Sequence, residues 1–327
     1  MRKKALIVGI DHYEHTNNLY GCVNDARSVK NILERHADGT TNFVTPLLLT
    51  GSDPNNLVSK QKLKQAIREL FEDNPYIALM YFAGHGHIQK EGGYIIASDS
   101  SVGDEGISLA EILGMANRSP AKNKVIVLDS CHSGVAGIPH GASGNSELAE
   151  GLTILTASTA EQYASEQQGS GVFTTLFVDA LNGAASNLVG DITLGSIYAH
   201  IDQSLGEWKQ RPIFKTNVQS FVSIRKIQPQ ISISDLHQLK SLFPHAGCEV
   251  RLDPSFEPER PEISSVVLPE PNPENTRIFA VLQRYNRLNL LVPVDAPHMY
   301  HAAIESKSCK LTALGEHYRR LVEDDLI

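Results

Sequence analysis

The chain has 327 residues, 41% of them hydrophobic and 20% charged, with a formal net charge of −8. That is enough apolar material for a large core and too low a charge density for a disordered chain, and the acidic balance argues against nucleic acid as the main partner. No apolar stretch reaches the ~18 residues of a membrane helix, and the four cysteines show neither CxxC pairing nor a dense framework, so a reducing, cytoplasmic setting is expected.

Residues 1–10 imitate the opening of a signal peptide, but Asp11 ends the apolar run too early, and residues 4–10 are predicted as the first strand. Residues 24–36 place Ala26, Val29, Ile32 and Leu33 at helical spacing. A second strand is predicted at 43–49. Ser59 is the expected N-cap of a helix that puts Leu63, Ile67 and Leu70 on one face. A third strand is predicted at 76–82, a short extra one at 94–97 and a helix at 109–116. Strands at 124–128 and 152–156, helices at 172–181 and 194–205, and a sixth strand at 221–224 complete the series. This alternation implies an α/β fold with a mostly parallel six-stranded sheet and helices on both faces.

Gln228 and Pro229 mark a predicted boundary. Three regions follow: 1–228 as the main domain, 229–275 as a Pro-rich connection with six prolines from Pro254 to Pro273, and 276–327 as a small C-terminal sensor or interaction domain. In the last, Ile278, Val281, Leu282 and Tyr285 form a helical stripe, 290–294 a strand and 317–321 a helix. The Leu-Thr-Ala-Leu-Gly run at 311–315 and the helix after it resemble the close of many winged-helix domains, so this region is expected to be α/β or winged-helix-like. Its seven basic and six acidic residues give no electrostatic case for DNA.

Two segments carry the chemistry. Val125-Ile126-Val127-Leu128 drives into Asp129-Ser130-Cys131-His132-Ser133-Gly134, and Tyr76-Ile77-Ala78-Leu79-Met80-Tyr81-Phe82 into Ala83-Gly84-His85-Gly86. Each buried strand delivers one reactive side chain at its carboxyl end, where open parallel sheets place their sites. A free thiol is a poor nucleophile until it loses its proton. A neighbouring imidazole can take that proton and later return it to a leaving amine. His85 and Cys131 fit those roles if their strands are neighbours. The flanking glycines let main-chain amides approach a ligand, so the amides of Gly86 and Cys131 are the predicted oxyanion-hole donors, each worth about 3 kcal/mol of transition-state stabilisation.

The segments Tyr81–Gly86 and Leu128–Gly134 resemble the two catalytic motifs of the caspase-like superfamily, above all metacaspases and bacterial caspase-like proteases. Ala5–Ile10 followed by Leu19-Tyr20-Gly21-Cys22-Val23-Asn24-Asp25-Ala26 resembles the opening of that family. Phe173-Thr174 and Gln210-Arg211-Pro212 resemble its small-subunit landmarks. The resemblance covers about residues 3–226. It implies a caspase-like fold and a Cys–His dyad, with His85 as base and Cys131 as nucleophile. Metacaspases cut after Arg or Lys through acidic pocket residues, and Asp25 and Asp129 match these; Ala83 stands where the family often has serine. The alternative is that Asp25 caps its helix and Asp129 orients its turn.

From Val125 to Trp208 there is no lysine or arginine, while nine acids fall in the same stretch. An enzyme that cuts only after basic residues cannot cleave itself there, so a regulated effector needing no autocleavage is expected. Its partners would be protein or peptide substrates with Arg or Lys at the cut, and an unknown activator, either a small ligand or a protein; self-assembly is a further possibility. The resemblance also allows a signal- or partner-gated antiviral defence effector whose C-terminal region binds the activator, and a non-catalytic scaffold. No cofactor is required, and no metal ligand set is assigned. Calcium enters only as an activator that the family often uses: Asp99, Asp104 and Glu105 cluster in a loop, without EF-hand spacing. His132, His12 and His15 carry no motif support, Cys22, Cys248 and Cys309 read as small buried residues, and Trp208 as a lining or core residue.

Overall fold

The computed structural model describes residues 1–89, 92–101, 106–130, 148–157, 166–167, 170–205, 211–259 and 268–327. The chain divides into two compact units, Met1–Gln228 and Pro229–Ile327. In the first unit, strand β1 (Lys3–Ile10) leads to helix α1 (Cys22–Glu34), then β2 (Leu47–Gly51), α2 (Lys60–Glu72) and β3 (Ile77–Ala83). The short strands β4 (Gly86–Gln89), β5 (Gly92–Ile95) and β6 (Ile107–Ser108) precede α3 (Leu109–Arg118), β7 (Asn123–Asp129) and β8 (Leu152–Thr156). The ribbon β9 (Glu166–Gln167) and β10 (Ser170–Gly171) runs into α4 (Val172–Asp179), which continues as a π turn over Ala180–Ala184. Then come β11 (Asp191–Thr193), α5 (Leu194–Leu205), β12 (Ile213–Asn217) and β13 (Ser223–Lys226).

Six strands form one sheet in the order β12-β8-β7-β3-β1-β2, all parallel except the edge strand β12. Side chains of a strand alternate between faces, and β3 is buried on both. Ile77, Leu79 and Tyr81 join a core with α1, α4 and α5, whereas Ala78, Met80 and Phe82 join one with α2 and α3. Burying such side chains stabilises the fold by about 1.5–3 kcal/mol each. Ser59 caps α2 as predicted, accepting the Lys62 amide proton.

The expected sixth strand at 221–224 is displaced. The edge position belongs to Ile213–Asn217, where Phe214 faces Leu155 and Lys215 faces Ile154. Ser223–Lys226 pairs instead with Asp191–Thr193. Long-range bonds pin it there: Ile224 O accepts from Asn42 Nδ2, and Arg225 donates to the carbonyls of Arg35 and Leu181. None of these bonds leaves a trace in local hydrophobic pattern. The second strand likewise begins four residues late, at Leu47, because Phe43 and Val44 donate their amides to Leu33 O and Lys3 O.

The second unit contains α6 (Ile233–Leu242), β14 (Glu249–Arg251), α7 (Pro273–Arg287), β15 (Leu291–Val294), α8 (Met299–Ile304), β16 (Ser308–Leu311) and α9 (Ala313–Glu323). Strands β14, β16 and β15 form an antiparallel sheet in that order. The stretch 229–275 thus contributes α6 and β14 to the same unit as the terminal elements. On α7 the buried positions are Phe279, Val281, Leu282 and Tyr285, with Ile278 half-buried. No helix among the described residues is long and apolar enough to cross a membrane.

Candidate active site

Strands β3 and β7 are neighbours, with Ala83 paired to Asp129 at their carboxyl ends. Beyond that pair the Gly84 amide donates to Asp129 O at 3.3 Å, which joins the two exits. His85 lies two positions past Ala83, and Cys131 two positions past Asp129 in the sequence. Cys131 itself lies outside the described residues, as do His132, Trp208, Asp104 and Glu105.

His85 is held by the loop that follows β1. Its amide donates to the Tyr13 hydroxyl at 2.7 Å, and the Tyr13 ring packs against the imidazole with centroids 4.6 Å apart. Imidazole Nε2 lies 2.8 Å from the carbonyl oxygen of Asn17. A carbonyl can only accept, so Nε2 carries the proton and, in the neutral ring, Nδ1 keeps its lone pair. Gly84 makes this approach possible: a Cβ there would sit 2.6 Å from the Tyr13 hydroxyl. The same loop begins at Asp11, whose Oδ1 accepts from the amides of Gly21, Cys22 and Val23 at the start of α1. Asp25, one turn into that helix, is therefore not needed as its cap.

Asp25 and Asp129 meet at the amino terminus of α4. The Gly171 amide donates to Asp25 Oδ2 at 2.9 Å, and Thr174 Oγ1 donates to Asp129 Oδ2 at 2.6 Å. A Cβ on Gly171 would lie 2.6 Å from Asp129 Oδ2 and 3.1 Å from Asp25 Oδ2. Both acids are buried, at 2% and 8% exposure. Anions are favoured at a helix amino terminus, and a pair of buried carboxylates is a natural receptor for one cationic side chain. Their field also reaches Tyr81: burial first, then Asp129 and Asp25, push its phenol well above the usual range.

Gly86 opens β4 opposite Ile95, and the flanking bond runs from the Ile96 amide to His85 O. In an antiparallel ladder this register makes Gly86 and Ile95 a non-hydrogen-bonded pair, so the Gly86 amide points away from β5. Asp99 is engaged elsewhere, its Oδ1 accepting the Lys60 amide at the start of α2. Among the described residues no group of three His, Cys, Asp or Glu could hold a metal ion. Cys22 and Cys309 are buried, while Cys248 is only half-buried; burial followed by Glu249 pushes the Cys309 thiol up to about 12. Tyr13, Asn17, Gly171, Thr174 and Tyr81 were not singled out as site residues from sequence; of these only Thr174 and Tyr81 lay in a motif, in Phe173-Thr174 and at the head of Tyr81–Gly86.

The family model of the caspase domain matches residues 2–238, a span that takes in all but the first residue of the unit that carries these features. The chain belongs to the caspase-domain family of cysteine peptidases. It is 31% identical over 151 residues to a metacaspase-1 of Meyerozyma guilliermondii, covering 41% of this chain and 36% of that one. It is 26% identical over 208 residues to a metacaspase-1 of Debaryomyces hansenii, covering 58% and 44%. The caspase-domain chain thus spans less than half the length of these curated relatives. Among solved structures, caspase-1 of Spodoptera frugiperda aligns with 69% of this chain and 91% of its own, at 14% identity and a TM-score of 0.49.

Proposed function

We propose that this chain is a cysteine endopeptidase that cuts after Arg or Lys. Attack of the Cys131 thiolate on the scissile carbonyl forms an acyl-enzyme and expels the amine. Nδ1 of His85 takes the thiol proton and delivers it to that amine; water then releases the acyl group. The amides of Gly86 and Cys131 receive the developing oxyanion. The observation that carries the specificity is the convergence of Asp25 and Asp129 on Gly171, which makes a buried anionic receptor beside the exits of β3 and β7.

The test is hydrolysis of fluorogenic peptides with Arg, Lys, Asp or Asn before the cut, with Cys131→Ala as control. Each is run with and without calcium and host-cell extract. Cleavage after Arg or Lys that disappears in the mutant supports the reading; cleavage after Asp sinks the pocket assignment and leaves the dyad. With no basic residue from Val125 to Trp208, the enzyme works as an uncut chain under control of an activator. Mass spectrometry of the active enzyme should find residues 125–208 in one piece, and two fragments separated between Ser133 and Gly171 would refute this.

A further inference from the structure

Tyr81 is a buried polar group that the proposed chemistry does not use. It lies in β3 with no exposed surface, and a phenol in such a core needs a partner. Its hydroxyl meets Oγ1 of Thr174, itself 1% exposed, and that oxygen also lies 2.6 Å from Asp129 Oδ2. The bond directions follow from a count of protons. An ionised carboxylate only accepts. Thr174 gives its single hydroxyl proton to Asp129, so Tyr81 must donate to Thr174. Burial and the two carboxylates keep the phenol protonated and hence a donor.

We propose that Tyr81 and Thr174 form a positioning relay that sets the plane of the Asp129 carboxylate and thereby selects arginine over lysine in the pocket. This rests on the basic-residue pocket proposed above. The tether on Oδ2 comes from the third residue of α4, and Thr174 is in turn restrained by a strand residue of the rigid sheet core. Orientation matters unequally to the two cations. A guanidinium bonds a carboxylate through a planar, two-pronged contact, whereas an ammonium is a point charge indifferent to the carboxylate plane. Losing the tether therefore harms arginine recognition more than lysine recognition.

The experiment measures kcat and KM on paired Arg and Lys peptides for the full chain and for Thr174→Val, Thr174→Ser, Tyr81→Phe and Asp129→Asn, with Thr174→Val also placed in the Asp129→Asn background. Thr174→Val should lower kcat/KM about tenfold for Arg, the scale of one charge-assisted hydrogen bond, and about threefold for Lys. The loss should sit in KM. Thr174→Ser, which keeps the hydroxyl, should restore the Arg preference. Tyr81→Phe, nearly isosteric, should move it the same way by a smaller factor. In the Asp129→Asn background Thr174→Val should add nothing. Equal losses on Arg and Lys, additive effects in that background, or no rescue by serine would overturn the relay. If Asp129→Asn abolishes the basic preference while Thr174→Val leaves the Arg-to-Lys ratio unchanged, the relay alone falls. If Asp129→Asn leaves the basic preference intact, the pocket falls and the relay with it. Thermal melts of each variant separate these effects from misfolding.

Discussion

The histidine of the Ala83-Gly84-His85-Gly86 turn depends on a neighbour 72 positions earlier. Replacing Tyr13 by Phe keeps the ring against the imidazole but strands the His85 amide. The expected result is a fall in kcat of about tenfold with KM nearly unchanged, read from steady-state kinetics on the Arg peptide. Gly171→Ala tests the other half of the site. The backbone at Gly171, with φ −66° and ψ 135°, suits alanine, so the effect is the methyl group itself, wedged between two carboxylates. Cleavage after Arg should drop about tenfold or more, and a melting curve close to that of the parent would show that the fold survives. His85, Asp25 and Asp129 are proposed from sequence because each sits in a short run of distinctive residues. Gly171 could not be: its bond to Asp25 spans 146 positions, and nothing near it in the chain names the carboxylate it faces.

At the scale of elements, α1 shows why capping need not be local. Its N-cap is Gly21, which has no side chain to offer, and the cap comes from Asp11 on the far side of the loop. Asp11→Ala should destabilise the chain by about 1–2 kcal/mol, seen as a lower melting temperature. It should also lower kcat, because the loop from Asp11 to Gly21 carries both contacts to His85. Asp11→Asn, which keeps an accepting oxygen, should recover much of both losses. Periodicity found the strands and helices of the sheet well where an element packs on its own pattern, as in β8 and α5. It misplaced the antiparallel edge: 221–224 and 213–217 are both short and apolar enough, and only the distant partners of Asn42, Arg225 and Leu155 decide between them.

Over the whole molecule, Lys3 ties the first strand to the last segment of its unit. Its ammonium donates to Asn42 Oδ1 at 2.8 Å and Ser223 O at 3.1 Å, a closure spanning 220 positions. Burial, and then the charge of Lys226, bring its pKa down from 10.5 to about 8. A depressed lysine pKa means that the unfolded chain holds the proton over a window where the folded one has released it. Stability contributed by this group therefore rises with pH between about 8 and 10.5, and the cost of burying the charge is fully present below that window. Denaturation midpoints of the parent and Lys3→Met, compared across this range, should differ by a quantity that climbs with pH; a flat difference would refute the assignment. Such a closure is illegible in sequence, because a lysine in the first three residues looks like any solvated terminus.

The acceptor of the His85 imidazole proton is a main-chain oxygen, and every residue has one. Alanine at position 17 would leave that acceptor in place, so the group that fixes the proposed tautomer would score as silent. At position 17 the proposed contribution is a main-chain oxygen, which any non-proline side chain would leave in place. Only changes that reroute the backbone, such as an insertion, a deletion or a proline, can move the proton.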